Sequence, residues 1–142
     1  MTNTLSNRGD CPASKLRIIA FNANSIGKQP KRRQVLCFLE KKNPDLLVVV
    51  DTRFSKQIEN SVKSEWGGQV LFSSYSSQSR GVAIFIRKNL PIKILDKFND
   101  IYGNILRLLI EYEGKKNTFN LIDIFRELHP TKKNVFLETV GV

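Results

Sequence analysis

The stretch Leu46-Leu47-Val48-Val49-Val50 is an unbroken apolar run, and Asp51 follows it directly. A short apolar run bounded by turn signals is typical of a central β-strand that is covered on both faces. Ligands of open α/β sheets tend to lie just beyond the carboxyl ends of such strands. The run therefore predicts an α/β fold with Asp51 at the rim of a sheet, free to hold a metal ion. The alternative is that Asp51 only caps the following helix or turn.

Outward from this strand, the chain alternates between strand and helix patterns. Further strands are predicted at 16–21, 69–72, 81–86, 92–98, 105–112 and 118–125, and helices at 31–42 and 55–66. Residues 113–116 predict a hairpin turn, and 133–140 a final helix. Because helices precede a run of neighbouring strands, a mixed sheet flanked by helices is favoured over a purely parallel one.

Length and charge narrow the class of protein. The 142 residues are the size of one ordinary domain, and 41% hydrophobic residues suffice for a core. Lys and Arg total 23 against 13 Asp and Glu, a net charge of +10. This excess favours an anionic partner, most commonly nucleic acid. The alternative is a protein that is merely basic and soluble.

The remaining global features concern location and cysteine usage. Residues 1–14 read as a flexible leader without an apolar signal core, and 15–142 as the domain. No apolar stretch reaches membrane-spanning length, so we expect an intracellular protein that is not secreted and has no membrane partner. Two cysteines make no disulfide framework, and Cys37, within a helical pattern, is predicted to be a packed, reduced thiol.

Four segments in order resemble the first half of the endonuclease/exonuclease/phosphatase superfamily, and most closely the apurinic-type endonuclease domains of non-LTR retrotransposons. They are IAFNANSIG at 19–27, NPDLLVVVDTR at 43–53, SRGVAIFIR at 79–87 and NLIDIF at 120–125. The resemblance implies the N-terminal part of a four-layer α/β sandwich and hydrolysis of DNA phosphodiester bonds with Mg²⁺ or Mn²⁺. It also implies a nuclear location and, in an intact element, a downstream reverse transcriptase on the same chain.

The resemblance assigns roles to four residues. Asp51 stands where the family usually has a metal-binding glutamate; it is one methylene shorter, so weaker binding is expected. Asn22 matches the asparagine that orients the metal ligand and the phosphate, although asparagine also favours turns at strand ends. Asn24 matches a frequent aspartate. Phe125 matches a tyrosine and lacks the hydroxyl that reaches the phosphate, a loss of a few kcal/mol at a transition-state contact.

Two segments of the family's later half, Gly-Asp-Phe-Asn and Ser-Asp-His, do not occur in this sequence. They carry the aspartate that activates water and the histidine that stabilises the phosphate. The single histidine, His129, has neighbours that do not match. We therefore expect a truncated domain, inactive alone, with one inner sheet face left uncovered. The alternatives are a nucleic-acid-binding module without catalysis, or a phosphatase-like member of the superfamily acting on a small phosphorylated or lipid substrate.

Basic residues near the predicted rim are candidates for contact with a nucleic-acid backbone. They are Lys28, Lys31, Arg32, Arg33 and Arg80. The alternative for the first four is the solvated start of a helix. Arg80 would contact phosphate or pair with a carboxylate, and Tyr75 in the adjoining serine-rich loop is a candidate for base stacking.

Overall fold

The computed structural model of the chain describes residues 15–122 and 136–141, with side chains as far as residue 119. Helices and strands alternate in the first half, and strands alone follow. The elements in chain order are β1 (Ile18–Asn22), α1 (Gln29–Glu40), β2 (Leu46–Val50), a 3₁₀ turn (Lys56–Ile58), α2 (Glu59–Trp66), β3 (Val70–Ser73), β4 (Val82–Ile86), β5 (Ile92–Asn99), β6 (Ile105–Tyr112), β7 (Lys115–Ile122) and β8 (Phe136–Gly141).

The first sheet has the strand order β1-β2-β4-β3. Strands β1 and β2 are parallel, with Asn22 opposite Val50, whereas β4 runs antiparallel to both β2 and β3. Strands β1, β2 and β3 consequently end at the edge where β4 begins. We call this edge the Asp51 end, and the opposite edge, where Asp45 precedes β2, the Asp45 end.

The second sheet is an antiparallel meander in the order β5-β6-β7-β8. The β6–β7 hairpin turns through Glu113 and Gly114, whose φ angles are 53° and 76°. Two successive positive φ angles define the type I′ turn, whose twist matches that of the flanking strands. The predicted hairpin at 113–116 is therefore confirmed.

Strand β2 is the centre of two hydrophobic cores. Side chains alternate along a strand, so Val48 and Val50 point to one face and Leu47 and Val49 to the other. The first pair packs against the second sheet, with Leu106, Leu108 and Ile110 among its neighbours. The second pair packs against the helices, with Leu36, Leu39 and Val62. The mixed α/β fold with two sheets is confirmed, and the apolar run indeed forms a strand buried on both faces.

Three predictions about the structure are wrong. The predicted helix at 133–140 is replaced over Phe136–Gly141 by β8, which pairs with β7. The inner face of the first sheet is covered by the second sheet, because Leu108 and Ile110 are completely buried. Cys37 is exposed on α1 and not packed, because the buried face of that helix is formed by its neighbours Leu36 and Leu39. Within the described residues, neither helix has the length and apolarity that crossing a membrane requires.

Candidate functional site at the Asp51 end

Four chain segments meet at the Asp51 end and are joined by backbone hydrogen bonds. Ser25 N–H donates to the carbonyl of Asp51 at 2.8 Å, and Thr52 N–H donates to that of Gly81 at 3.1 Å. Gly81 N–H in turn donates to the carbonyl of Gly103 at 3.1 Å. The segments 22–27, 51–55, 74–81 and 100–104 therefore form one connected rim, which combines residues far apart in sequence.

The backbone of this rim is unusual. Eight described residues other than glycine have positive φ angles, and five of them lie here. They are Asn24 (49°), Ser25 (76°), Asp51 (55°), Arg53 (55°) and Arg80 (69°). Asn and Asp tolerate this left-handed region, whereas the serine and the two arginines adopt it at a conformational cost. Such costs tend to concentrate at functional sites, where surrounding contacts hold the residues in place.

Asp51 lies in the interior of this rim. Its side chain is fully buried, and its two carboxylate oxygens accept hydrogen bonds from Nε and Nη2 of Arg53, each at 3.2 Å. A buried carboxylate requires such a partner because removal from water is costly for a charge. The sequence predicted an accessible carboxylate, whereas in the structure the Asp51 side chain is fully buried and its partner Arg53 is 25% exposed.

Asn22 lies at the same end, on the parallel neighbour of β2. Its side-chain carbonyl oxygen Oδ1 accepts a hydrogen bond from the backbone N–H of Asn24 at 3.2 Å. This local bond is the turn that asparagine commonly forms at the end of a strand. Asn24 itself is exposed, and its carbonyl accepts a hydrogen bond from Nζ of Lys31 at 2.8 Å.

The donor set can be compared with the needs of Mg²⁺. This ion keeps several waters and takes one or two carboxylates, so Asp51 with the amide oxygen of Asn22 is a sufficient set by type. Both oxygens of Asp51 are, however, paired with Arg53. Among the described residues, no three His, Cys, Asp or Glu side chains cluster closely enough to form a metal site. The donors at this end are therefore suitable for Mg²⁺ by type, but their oxygens are engaged by Arg53 and by the N–H of Asn24.

The predicted basic cluster is divided by the structure. Lys28 lines a cavity of about 280 Å³ at the Asp51 end, together with Arg53, Ser25 and Ser55. Arg33 instead lines a smaller cavity between α1 and α2 that also contains Glu65. Lys28 and Arg33 therefore face different surroundings, because Lys28 precedes α1 whereas Arg33 points outward from within that helix.

Arg32 departs furthest from the predicted surface cluster, because it is 3% exposed. Its guanidinium forms an ion pair with Glu65 at 2.8 Å and donates to the carbonyls of Ile26 and Gly27 at 3.2 and 2.8 Å. These contacts attach the 22–27 segment to both helices. The hydrogen bond from Arg32 is also the main reason that the pKa of Glu65 lies below its ordinary value. Since its donors face protein atoms, we leave Arg32 out of any proposed interface.

The opposite side of the rim carries aromatic and basic groups. The guanidinium of Arg80 lies over the ring of Tyr75, 4.5 Å from the ring centre, and Nη1 donates to the carbonyl of Tyr102 at 3.5 Å. Tyr75, Tyr102 and Ile101 are exposed by 48, 55 and 70%. Stacked, partly exposed Arg and Tyr side chains are suited to contact phosphates and bases.

Sequence reasoning missed Arg53 and Tyr102 as members of the site. The signal for Arg53 was its position two residues after Asp51, within the segment 43–53 that carries the family resemblance. Tyr102 lies in a loop that the sequence identifies only as a turn, so no pattern indicates its approach to Arg80. The predicted site residue Phe125 lies outside the described residues, as does His129, which the sequence analysis did not assign to the site.

The comparisons with known proteins give one informative similarity. The chain is 25% identical over 126 residues to the "Transposon TX1 uncharacterized 149 kDa protein" of Xenopus laevis. The match covers 89% of this chain and 10% of that protein, so the chain spans about a tenth of its relative's length. No protein-family model matches. The similarity supports a transposon-related origin for the chain.

Proposed function

We propose that this chain is the DNA-contacting part of an endonuclease-like domain of the retrotransposon type, and that its Asp51 end binds the phosphodiester backbone. The observation that carries the proposal is the convergence of four separate segments on one rim. There, Lys28 and Arg53 line a cavity and Arg80 lies over Tyr75. The net charge of +10 and the similarity to a transposon protein support the same assignment.

The residues at the rim have distinct roles under this proposal. Lys28 and Arg80 contact phosphate oxygens, because ammonium and guanidinium groups supply charge-assisted hydrogen bonds to them. Tyr75 stacks on a base or a sugar, since its ring is exposed and held by Arg80. The strained backbone fixes the relative positions of these segments before DNA binds, which reduces the entropy lost on binding.

Asp51 and Asn22 are the residues that would hold a divalent cation. When bound, Mg²⁺ neutralises the charge that develops on a phosphate group during hydrolysis. Arg53 releases the carboxylate of Asp51 and presents its guanidinium to the same phosphate. The segments Gly-Asp-Phe-Asn and Ser-Asp-His do not occur in these 142 residues. We therefore propose that this chain binds DNA and, by itself, does not cleave it.

Binding is tested with a short labelled DNA duplex and the double variant Lys28→Gln/Arg80→Gln. We expect the affinity to fall on the order of tenfold at low salt, and the slope of log K against log salt concentration to decrease by about 2. The matched control is Lys88→Gln/Lys93→Gln, which removes two exposed lysines at the Asp45 end. Equal losses in both variants would show attraction to overall charge, and the Asp51 end would not be the interface.

The role of the metal is tested by measuring the same affinity with and without Mg²⁺. We expect Mg²⁺ to strengthen binding in the natural chain and to have no such effect in Asp51→Asn. If Asp51→Asn responds to Mg²⁺ like the natural chain, the protein is a nucleic-acid-binding module without a metal site. Nicking of supercoiled plasmid by the natural chain would contradict the proposal that it does not cleave DNA alone.

A further inference from the structure

We propose that a second site, between the edges of the two sheets, binds single-stranded DNA adjacent to the duplex at the Asp51 end. This inference rests on the proposed function, because it assigns the DNA structure that the domain recognises. The site is a cleft of about 310 Å³, which we call the edge cleft. It is lined by residues of the 3₁₀ turn, α2, β3, β5 and the segments that follow the two strands, among them Lys56, Lys63, Phe72, Ser74, Lys97 and Asp100.

The position of the edge cleft follows from the topology. Strand β3 is an outer strand of the first sheet, and β5 is an outer strand of the second. Where the two sheets pack face to face, these outer strands border a concave surface, and the 3₁₀ turn and α2 form its third side. Its volume is at the lower end of the range for ligand pockets and suits one unstacked base of a strand that passes along the surface.

The charge of the edge cleft is complementary to a phosphate backbone. Its three lysines, Lys56, Lys63 and Lys97, are exposed. Asp100 also lines it, but its Oδ1 already accepts hydrogen bonds from the Ser73 hydroxyl at 2.7 Å and from the backbone N–H groups of Asn104 and Ile105 at 3.0 Å each. That carboxylate is therefore used to order the 100–104 segment. Glu59 is the second acidic residue, so three lysines line the cleft with two carboxylates and leave a net positive charge of one.

An aromatic ring lies among these lysines. Nζ of Lys63 is 5.8 Å from the centre of the Phe72 ring, and Phe54 packs against that ring edge-to-face at 5.9 Å. Phe54 is fully buried, so it fixes the orientation of Phe72, which is itself only partly buried. A fixed ring beside a cation is an arrangement on which a base of a single strand can stack.

Ser74 supplies a separate indication of a ligand. It is 5% exposed and lines the edge cleft, and its hydroxyl has no hydrogen-bond partner among the described residues. Buried hydroxyl groups are nearly always paired, so this unpaired one beside a cationic cleft is available to an acceptor that enters when the surrounding side chains shift. A phosphate oxygen is an acceptor of the required kind.

The edge cleft is continuous with the Asp51 end. Ser74 is followed directly by Tyr75, and Asp100 by Ile101 and Tyr102, so the same two segments border both sites. A DNA strand that leaves the rim over Tyr75 reaches Ser74 and then the lysines. The domain thereby recognises a junction between duplex and single-stranded DNA.

The test compares a labelled blunt duplex with the same duplex carrying a single-stranded overhang of about eight nucleotides, made in both polarities. We expect the natural chain to bind the overhang duplex about tenfold more tightly. The triple variant Lys56→Gln/Lys63→Gln/Lys97→Gln removes this difference and retains binding to the blunt duplex. The control Lys15→Gln/Lys88→Gln/Lys93→Gln removes the same charge from exposed positions near the Asp45 end and keeps the preference.

The outcomes separate this inference from the proposed function. Equal affinity of the natural chain for both duplexes, or a preference that survives in the triple variant, overturns the edge cleft and leaves the proposed function standing. Absence of binding to either duplex overturns the proposed function itself.

A second variant tests the Ser74 hydroxyl directly. Ser74→Ala removes a buried donor that is unpaired in the protein, so we expect an unchanged or higher melting temperature and a weaker preference for the overhang. A merely structural serine would change stability without changing that preference. An unaltered preference in Ser74→Ala would contradict a contact between this hydroxyl and phosphate.

Discussion

The two ends of β2 each carry an aspartate paired with an arginine, and the two pairs are built differently. At the Asp45 end, Asp45 accepts hydrogen bonds from the backbone N–H of Arg17 at 2.8 Å and from Nε of Arg87 at 3.0 Å. These partners are 28 and 42 residues away in sequence. At the Asp51 end, Asp51 pairs with Arg53, two residues along the chain. The first pair ties three strands together, whereas the second is local.

The two ends also differ in backbone geometry, burial and hydrogen bonding. The backbone around Asp45 joins β1 and β4 to β2 through hydrogen bonds, and Arg87 is 43% exposed. Asp51 is fully buried and has a φ angle of 55°, and the hydroxyl of its neighbour Thr52 has no hydrogen-bond partner among the described residues. The Asp45 end of the strand therefore stabilises the fold. The Asp51 end retains a strained backbone and an unpaired hydroxyl, which are typical of a ligand-binding site.

The largest expected difference in stability between the two ends of β2 is between alanine substitutions at a glycine near each end. Gly81, at the Asp51 end, has a φ angle of 115°, and a Cβ atom there would collide with the Thr52 hydroxyl oxygen. Gly81→Ala combines backbone strain with overpacking, and we expect it to lower the free energy of unfolding by about 4 kcal/mol. Gly67, which ends α2, has a φ of 80° and open space around it, so Gly67→Ala should cost about 1 kcal/mol.

Chemical denaturation of both alanine variants measures this difference. If Gly81→Ala lowers the free energy of unfolding no more than Gly67→Ala does, the backbone of the rim rearranges at little cost. The Asp51 end would then not be a preorganised site.

The next largest difference in stability is expected between substitutions of Arg53 and Arg87, the two arginines of these pairs. Arg53→Leu removes the counter-charge of a fully buried carboxylate and the two hydrogen bonds that Arg53 donates to it, so we expect a loss of about 3 kcal/mol in the free energy of unfolding. Arg87→Leu removes one bond from a half-exposed partner while the N–H of Arg17 remains, so the loss should be about 1 kcal/mol. Denaturation at neutral pH provides both values, and a larger loss for Arg87→Leu would reverse the assignment of the two pairs.

The sequence predicts the sheets well because their signals are local. The run Leu46–Val50 and the alternation within Ile105–Tyr112 reflect burial that each strand encounters separately, and both appear in the structure as predicted. The error at 133–140 arises because β8 is defined by its pairing with β7. Short apolar segments have no strong period of their own, so their type depends on such partners.

The candidate site is less predictable for a related reason. Sequence places Arg32 on a helix and Asp51 after a strand, but it does not show that Glu65 of another helix reaches Arg32. It also does not show that left-handed backbone conformations at Asp51 and Arg53 bring their side chains together. Both facts depend on tertiary contacts and on rare φ angles for non-glycine residues, which residue type alone does not specify.

A smaller effect is expected at the ion pair that supports the 22–27 segment. Glu65→Gln leaves Arg32 buried without its counter-charge, and we expect a loss of about 2 kcal/mol at neutral pH, since Gln retains a hydrogen-bond acceptor. The exposed Glu40 provides the control, and Glu40→Gln should change stability by less than about 0.5 kcal/mol.

The pH dependence of this loss follows from the lowered pKa of Glu65. A carboxyl group whose pKa is lower in the folded state stabilises the fold at pH values above its unfolded pKa, and this contribution disappears as the pH falls through the folded pKa. The difference in stability between the natural chain and Glu65→Gln should therefore shrink below about pH 4. A difference that is constant from neutral to acidic pH would show that the ion pair does not stabilise the segment.

The smallest effect distinguishes the two pairs by their response to Mg²⁺. In the natural chain Arg53 occupies both oxygens of Asp51, so Mg²⁺ should raise the melting temperature only slightly. Arg53→Gln removes the competing charge, and at a Mg²⁺ concentration about five times the dissociation constant the ion should add about 1 kcal/mol of stability. The double variant Asp51→Asn/Arg53→Gln should lose this response, because its metal ligand is no longer charged.

The control is at the Asp45 end. Arg87→Gln frees a carboxylate oxygen of Asp45 in the same way, but the N–H of Arg17 still binds that group. If Arg87→Gln gains the same stabilisation as Arg53→Gln, Mg²⁺ does not discriminate between the two ends, and the assignment of a metal site to Asp51 is wrong.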